Sequence, residues 1–348
     1  MVAIFINMKK INKNIQEIKS DNNLNLKFLS IKHNTLNVSC NILKENFFLD
    51  SANYFPITYE YESFLDVFSW GENNKYKNFY SENFLNNFKL NVNSFKKHSN
   101  VFVLGSSLSN NYFRNIITFL PRIFFINQKK IRLCIHRNSS NKLRTFIDIL
   151  CKQMKIDVQF VFLDDGFFRF ENSMIPEFLQ ISDSIKILNS LKIFSNKKKE
   201  KIYLSRQNSS YRNLINEQDV VDELKKKNFR VVDLNNYSIL QQIELFSNAE
   251  TIVSPSGSSL TNIVFCNPGT NIIEITPKYE YEYEDNLKNR FSSICNLLDL
   301  NYSSIVADPI PIKKIKNNKN DFIITDILNQ SNYYKNLLVK LNELKQIN

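Results

Sequence analysis

A serine- and glycine-rich turn between two apolar runs is the stretch of this sequence best suited to chemistry. Residues 251–276 read TIVSPSGSSLTNIVFCNPGTNIIEIT, so an apolar run ends in a small polar turn and a short helical pattern follows. The chain has only five glycines, and two of them, Gly257 and Gly269, lie here. A strand, such a turn and a helix N-terminus form an anion site, because backbone N–H groups and the helix dipole attract phosphate. The turn lacks the motifs of a Walker loop and of a dinucleotide fold. A purely structural turn with a serine cap explains it equally well.

Two charged residues are predicted to lie at the same sheet edge as this turn. Arg206 follows the apolar run 202–205, and Glu274 lies at the end of the run that begins at Asn271. The carboxyl ends of parallel strands share one edge, so both side chains could face one crevice with the turn. A guanidinium opposite backbone donors can clamp a diphosphate, and a carboxylate can accept hydrogen bonds from ribose hydroxyls. A surface arginine and a strand-end charge remain the alternatives.

Apolar runs alternate with helical patterns in two parts of the chain, which predicts parallel sheets built from βαβ units. The first part has predicted strands at 101–104, 131–136 and 158–163 and helices at 112–120 and 141–153. The second has predicted strands at 202–205, 229–234, 251–254 and 271–275, separated by helices at 220–227, 239–246 and 258–265. The lysine run 196–201 is the predicted linker, and a helix or helix pair is predicted within 321–347.

Helix-start residues support the pattern in the second part. Asn216 with Asp219 and Ser238 with Gln241 fit the spacing of capping boxes. Either serine at 258 or 259 fits the start of the third helix.

The composition of the chain narrows the classes of molecule that it could bind. The net charge of +11 favours anionic partners. No aromatic-plus-basic motif accompanies it, so we expect no nucleic acid partner. Five scattered cysteines without CxxC spacing argue against structural zinc and a disulfide framework. Without a signal peptide pattern or an apolar span, we expect a cytoplasmic protein, and peripheral contact with the inner face of the membrane stays open.

An ordered set of short motifs resembles the C-terminal domain of glycosyltransferase family 61. The set consists of Leu204-Ser205-Arg206, Asn216-Glu217, Val232-Asp233, Ile252–Gly257 with Leu260-Thr261-Asn262, Pro268-Gly269-Thr270 and Ile273-Glu274. Residues 111–122, NYFRNIITFLPR, resemble a helix of that family's N-terminal domain. The resemblance covers 200–280 well and 101–170 thinly, and it does not extend to the first hundred residues.

The resemblance implies a GT-B fold, in which two Rossmann-like domains face each other across a cleft. The expected bounds are 1–195 for an acceptor-side domain, 201–310 for a donor-nucleotide domain, and 320–348 for a helical segment that packs back on the N-terminal domain. It also implies an inverting, metal-independent enzyme without a cofactor. Such an enzyme moves a sugar from a nucleoside diphosphate sugar, expected to be a UDP-sugar, to a glycan or lipid-linked acceptor in surface polysaccharide synthesis, such as that of a capsule.

The resemblance also assigns candidate residues to each side of the reaction. The donor nucleotide and diphosphate are expected at Ser205, Arg206, Ser256, Gly257, Ser258, Ser259, Leu260, Thr261, Asn262 and Glu274. The acceptor side is expected at Gly105, Ser106, Asn111 and Arg114. The family loop usually reads PHGAxLTN, so its histidine and alanine are Ser256 and Ser258 in this chain. In the helix usually written NYYHWLxDxLPR, its histidine is Arg114 and its acidic residue Thr118.

An inverting transfer needs a general base for the acceptor hydroxyl. Asp164 and Asp165 are the candidates by position, because both follow a predicted strand and precede Gly166. A turn carboxylate or a helix cap is the alternative for each, and His136 receives no role. The family departures at Ser256 and Arg114 keep a second interpretation open, in which the protein binds a sugar nucleotide or glycan without turnover.

Overall fold

The structure is a computed structural model that describes residues 15–19, 38–51, 55–59, 88–105, 111–191, 199–207, 212–278, 289–309 and 336–347. The chain divides into two compact units, residues 1–190 and 191–348. Each unit contains its own β-sheet. Within the described ranges, no helix is both long and apolar enough to cross a lipid bilayer.

The first unit is built on a mixed sheet of eight strands in the order β1-β2-β8-β5-β6-β7, with β3 on β2 and β4 on β8. Strands β5, β6 and β7 are parallel, whereas β2 pairs antiparallel with β1, β3 and β8. The elements are β1 Ile15–Lys19, β2 Ser39–Asp50, β3 Phe55–Thr58, β4 Lys96–Ser99, β5 Val101–Val103, β6 Lys130–His136, α1 Asn141–Gln153, β7 Asp157–Leu163, β8 Phe167–Pro176 and α2 Ile181–Ser190.

The predicted strands and the helix α1 of this unit are confirmed. The predicted helix at 112–120 is a π-helical segment, Arg114–Phe119, that continues as a 3₁₀ helix, Leu120–Phe125. Pro121 does not end it, because a proline fits the first turn of the new segment. The sequence did not predict β2 or β8, which make the sheet mixed.

The second unit is built on a seven-stranded sheet in the order β10-β15-β14-β13-β12-β9-β11. The five strands from β14 to β11 are parallel. The elements are β9 Glu200–Leu204, β10 Asn213–Leu214, α3 Glu217–Lys226, β11 Arg230–Val232, α4 Ile239–Ser247, β12 Ala249–Pro255, a 3₁₀ helix Ser258–Phe265, β13 Asn271–Pro277, α5 Arg290–Leu297, β14 Asn301–Pro309, β15 Asn336–Leu338 and α6 Leu341–Leu344.

The strand order of the second unit creates a switch point. After β9 the chain first forms β10 at the far end of the sheet, then adds β11 on one side of β9 and β12 on the other. The carboxyl ends of β9 and β12 are therefore neighbours where the strand order reverses, which is where open α/β sheets bind ligands.

Only one of the predicted helix caps has the expected geometry. Ser238 and Gln241 form the capping box, with hydrogen bonds of 3.3 and 2.8 Å. Asn216 does not cap its helix with its side chain; its amide donates to Val339 O at 2.9 Å and accepts from Val339 N at 3.3 Å. The prediction of a serine cap at 258 or 259 is also wrong, because Gly257 occupies the N-cap position of a 3₁₀ helix.

The C-terminal segment corrects the prediction of a helix that packs on the N-terminal domain. The part of that segment which the structure describes, 336–347, contains a strand and one short helical turn. β15 pairs with β10 and β14, and the tail buries Leu337, Val339, Leu344 and Ile347 in the core of the second unit. The run Leu337-Leu338-Val339 is short and apolar, which suits a buried strand.

The tail is therefore expected to stabilise the second unit. Leu337→Ala empties a fully buried position and should lower the free energy of unfolding by about 2–5 kcal/mol. Leu297→Ala is the matched control, because that side chain is 51% exposed. Chemical denaturation of both variants checks this. Equal, small losses would contradict the placement of the tail in the core.

Candidate functional site

The turn after β12 and Arg206 after β9 meet at the switch point of the second unit. The ladder between the two strands pairs Val253 with Tyr203. Ser256 lies three residues after Val253, and Arg206 lies three residues after Tyr203. Both residues therefore lie at the same level, just past the edge of the sheet. The register thus brings together the two features that the sequence placed on one edge.

Arg206 lies directly over Gly257. A Cβ atom added to Gly257 would stand 1.9 Å from Arg206 Nη1 and 2.6 Å from Cζ. The backbone of Gly257 is extended, with φ 171°, so any residue could adopt it. The glycine therefore provides space and not a special conformation, because a side chain here would push the guanidinium away from its position on the turn.

A buried carboxylate fixes the backbone at Arg206. Glu217, at the start of α3, is only 4% exposed. Its Oε1 accepts hydrogen bonds of 2.9 Å from the Arg206 backbone N–H and from the Tyr203 hydroxyl. Burial, followed by the charge of Glu217, raises the pKa of Tyr203. Glu217 stood in the motif that carried the resemblance, but sequence reasoning gave it no role.

Glu274 lies inside the sheet and not at its edge, which corrects its predicted position. β13 continues to Pro277, and Glu274 pairs in register with Ser254 and Ser304. Its side chain is 1% exposed and accepts hydrogen bonds from Tyr302 Oη, at 2.8 Å, and from Ser256. A carboxylate so enclosed supports the turn from below, and this placement gives no support to a ribose contact.

Burial has the largest effect on the pKa of Glu274. Desolvation raises the pKa of the carboxyl above its ordinary 4.5, while the hydrogen bonds from Ser256 and Tyr302 and the charges of Arg212 and Arg290 oppose the shift. Arg212, which sequence reasoning missed, also donates from Nη1 to Ser256 Oγ at 3.2 Å. The only sequence signal for it was its position in the polar loop after Arg206.

The remaining loop residues divide into exposed and structural ones. Ser258 is exposed and Ser259 is half-buried at the start of the 3₁₀ helix, whereas Leu260, Thr261 and Asn262 are buried. The Asn262 amide donates to Gln242 at 3.0 Å, which ties the 3₁₀ helix to α4. Ser205 continues the ladder, since its N–H donates to Val232 O at 2.9 Å. Leu260, Thr261 and Asn262 thus shape the turn without facing solvent.

A second group of candidate residues meets at one edge of the first unit's sheet. The register pairs Val103 with Cys134 and His136 with Leu163. Gly105 therefore lies level with His136, and the aspartates at 164 and 165 follow immediately after β7. Gly105 is buried; Ser106 lies outside the described residues.

The two aspartates have different partners. Arg137 donates to Asp164 from Nε at 2.7 Å and from Nη2 at 3.4 Å, and this hydrogen bonding lowers the pKa of Asp164. Asp165 Oδ1 lies 3.1 Å from His136 Nε2. The other ring nitrogen, Nδ1, accepts from Asn138 N–H at 3.1 Å, so the proton of the neutral imidazole faces Asp165. Burial lowers the pKa of His136, against the opposing charge of Asp165.

The other acceptor-side candidates lie at the start of the π-helical segment. Asn111 is exposed, and its Oδ1 accepts from Arg114 N–H at 3.2 Å. Asn111 thus caps the segment, and Arg114 is half-buried in its first turn. Neither placement tests contact with an acceptor.

Comparison with known protein families gives a match. The family model described as Glycosyltransferase 61 matches residues 106–273, which supports the family predicted from the motifs. The matched segment contains Arg206, the turn at 256–259, and both aspartates. No curated protein matches the chain.

The buried carboxyl of Glu274 makes the stability of the second unit depend on pH. Its folded pKa is raised, so the folded state holds a proton that the unfolded state releases near pH 4.5. Wild-type stability should therefore fall as the pH rises from about 4.5 through the raised folded pKa. Glu274→Gln cannot titrate, so its stability relative to wild type should rise over this window and then level off.

Denaturation at a series of pH values measures this difference. Glu250→Gln is the control, because it changes an exposed carboxylate of β12 by the same atoms. A constant difference between Glu274→Gln and wild type at all pH values would show that Glu274 does not carry the predicted effect.

Proposed function

From the premise that this chain carries a glycosyltransferase 61 domain and is a glycosyltransferase, we propose that its donor is a nucleoside diphosphate sugar bound by the second unit. The reaction inverts the anomeric centre and needs no metal ion. The acceptor is a glycan or a lipid-linked glycan. One observation carries the donor assignment: the Arg206 guanidinium lies on Gly257 at the switch point of a parallel sheet.

The chemistry of this turn suits a diphosphate. The first N–H groups of a helix have no partner within the helix, and here they follow Gly257 directly. The Arg206 guanidinium, held by the anchoring of its backbone to Glu217, adds a fixed positive charge on the same turn. Such donors can stabilise the negative charge that develops on the leaving diphosphate, which is the role that a magnesium ion has in other enzymes.

Asp165 is the better candidate for the general base. A base must be ionised, accessible and basic enough to take the acceptor proton. Arg137 occupies both oxygens of Asp164 and lowers its pKa, which weakens that carboxylate as a base. The side chain of Asp165 is 64% exposed, and its Oδ1 lies 3.1 Å from His136 Nε2. In the proposed step Asp165 takes the hydroxyl proton while the acceptor oxygen bonds to the anomeric carbon and the bond to the diphosphate breaks.

The wider setting of the reaction is also a proposal. A GT-B arrangement, with the donor on the second unit and the acceptor on the first, follows from the family resemblance. A cytoplasmic role in surface polysaccharide synthesis, such as that of a capsule, follows from the same source. The net charge of +11 supports contact with an anionic inner membrane face, where a lipid-linked acceptor would be found.

Two substitutions should remove the same guanidinium from the donor site. Arg206→Ala deletes it, and Gly257→Ala displaces it, because the new Cβ would overlap Nη1. Each should weaken binding of the cognate nucleoside diphosphate by roughly 10- to 100-fold, the usual effect of losing charge-assisted hydrogen bonds. Isothermal titration calorimetry with UDP and GDP measures the loss.

Arg230→Ala is the matched control for these variants. Arg230 begins β11, and its guanidinium pairs with Glu200 at 2.6 Å, at the opposite end of the sheet. It should bind nucleotide as wild type does. Turnover with a panel of UDP-, GDP- and CMP-sugars then identifies the donor. Unchanged binding in Arg206→Ala would refute the site.

The two aspartates should separate in a kinetic test. Asp165→Asn removes the proposed base and should lower kcat by roughly 10²- to 10⁴-fold while the donor affinity stays within twofold. Asp164→Asn should cost less, because Arg137 already occupies that carboxylate. Steady-state kinetics with calorimetry of donor binding compares them. Equal losses, or a larger one in Asp164→Asn, would overturn the choice of Asp165.

A further inference from the structure

A second guanidinium contacts the residue of the turn that precedes Gly257. Arg212 Nη1 lies 3.2 Å from Ser256 Oγ and 3.5 Å from Ser256 O. Arg206 lies over Gly257. Two consecutive residues of the turn, Ser256 and Gly257, are thus each contacted by an arginine. Arg206 lies just after β9, and Arg212 lies just before β10.

The contact of Arg212 with the turn is anchored in the core. Ser256 is 1% exposed, and its hydroxyl has one proton to donate and lone pairs to accept with. Because the oxygen accepts from Arg212, the proton is available for the buried carboxylate of Glu274. Tyr302 donates to the same carboxylate at 2.8 Å. Hydrogen bonds therefore link Arg212 Nη1 through Ser256 to Glu274 in the interior of the sheet.

The backbone at Arg212 is held in place as well. Its φ is 56°, in the left-handed region that long side chains rarely adopt. The next two residues form β10, which pairs with the C-terminal strand β15. Contacts on both sides thus maintain a conformation that would otherwise be unfavourable, and they keep the guanidinium on the turn.

The local charges favour an anion. Arg206 and Arg212 contact the turn, and Arg290 acts on Glu274 from the start of α5. Two buried carboxylates, Glu217 and Glu274, oppose these three cations. These five groups together have a net positive charge, and two of the cations lie on adjacent residues of the turn.

We propose that Arg212 is a second phosphate-binding residue, and that it makes the site prefer a nucleoside diphosphate to a nucleoside monophosphate. The inference rests on the proposed function, since it takes the turn as the site of the donor. Arg206 and the N-terminus of the 3₁₀ helix suffice for one phosphate. The guanidinium of Arg212, placed one residue earlier on the turn, binds the other.

The test compares diphosphate with monophosphate binding. Calorimetry with UDP, UMP, GDP and GMP at one ionic strength gives the preference for wild type, Arg212→Ala, Arg212→Lys and Arg206→Ala. Arg212→Ala should weaken diphosphate binding by roughly 10- to 100-fold and monophosphate binding by less than about 2-fold. Arg212→Lys keeps the charge but loses the planar fork, so it should retain part of the preference. Arg230→Ala again serves as control.

The outcomes separate the inference from the proposed function. If Arg212→Ala and Arg212→Lys weaken both classes of nucleotide equally, Arg212 has only a structural role and the inference fails. It also fails if neither variant changes binding while Arg206→Ala does, and the proposed function then stands. If wild type binds none of the four nucleotides and none of the sugar nucleotides, both fail. Should Arg212→Ala not fold, the preference measured for Arg212→Lys decides.

Discussion

The contact between the Arg206 guanidinium and the bare backbone of Gly257 is the interaction on which the site of the second unit depends. It needs a parallel register that brings Arg206 and Ser256 to the same level, and a strand order that places β9 directly beside β12. It also needs a position without a Cβ atom. Sheet topology, register and one glycine together place a cation on a helix N-terminus, and any one of them alone would leave an ordinary turn.

Buried charged groups support both candidate sites from beneath. Glu217 fixes the backbone at Arg206, and Glu274 anchors Ser256. In the first unit the fully buried Arg122 donates to Leu104 O, just before Gly105, and to Pro176 O at 3.2 Å. Its guanidinium also lies about 5 Å from the rings of Phe119 and Phe178. A buried charge is costly unless its hydrogen bonds are satisfied. Each of these groups therefore fixes a specific backbone position at a functional edge.

Periodicity and turn residues were enough to predict β5, β6 and β7 of the first unit, β9, β11, β12 and β13 of the second, and the shared edge of Arg206 and the turn. These features depend on neighbours in sequence, where hydrophobic pattern and helix propensity act directly. Asn216 shows why the rest could not be predicted. Its side-chain amide binds the backbone of Val339, 123 residues away in the sequence, instead of capping its own helix. The interior position of Glu274 required knowledge of how far β13 extends, and strand ends are poorly marked in sequence. The role of Arg212 depends on its contact with Ser256, which lies 44 residues later in the sequence.

The strand β15 joins β10 to the sheet of the second unit. β10, which follows Arg212 directly, pairs with β15, and Ile215 N–H donates to Leu337 O at 2.9 Å. During synthesis, Arg206, Gly257 and Glu274 all leave the ribosome before the strand that holds β10 in the sheet. The parallel strands β9 to β13 can assemble on the nascent chain, but Arg212 gains this support only once β15 has been made. The second guanidinium on the turn is thus the last part of the candidate site to be fixed, and a chain without β15 would contain the turn and Arg206 but lack the strand that holds β10.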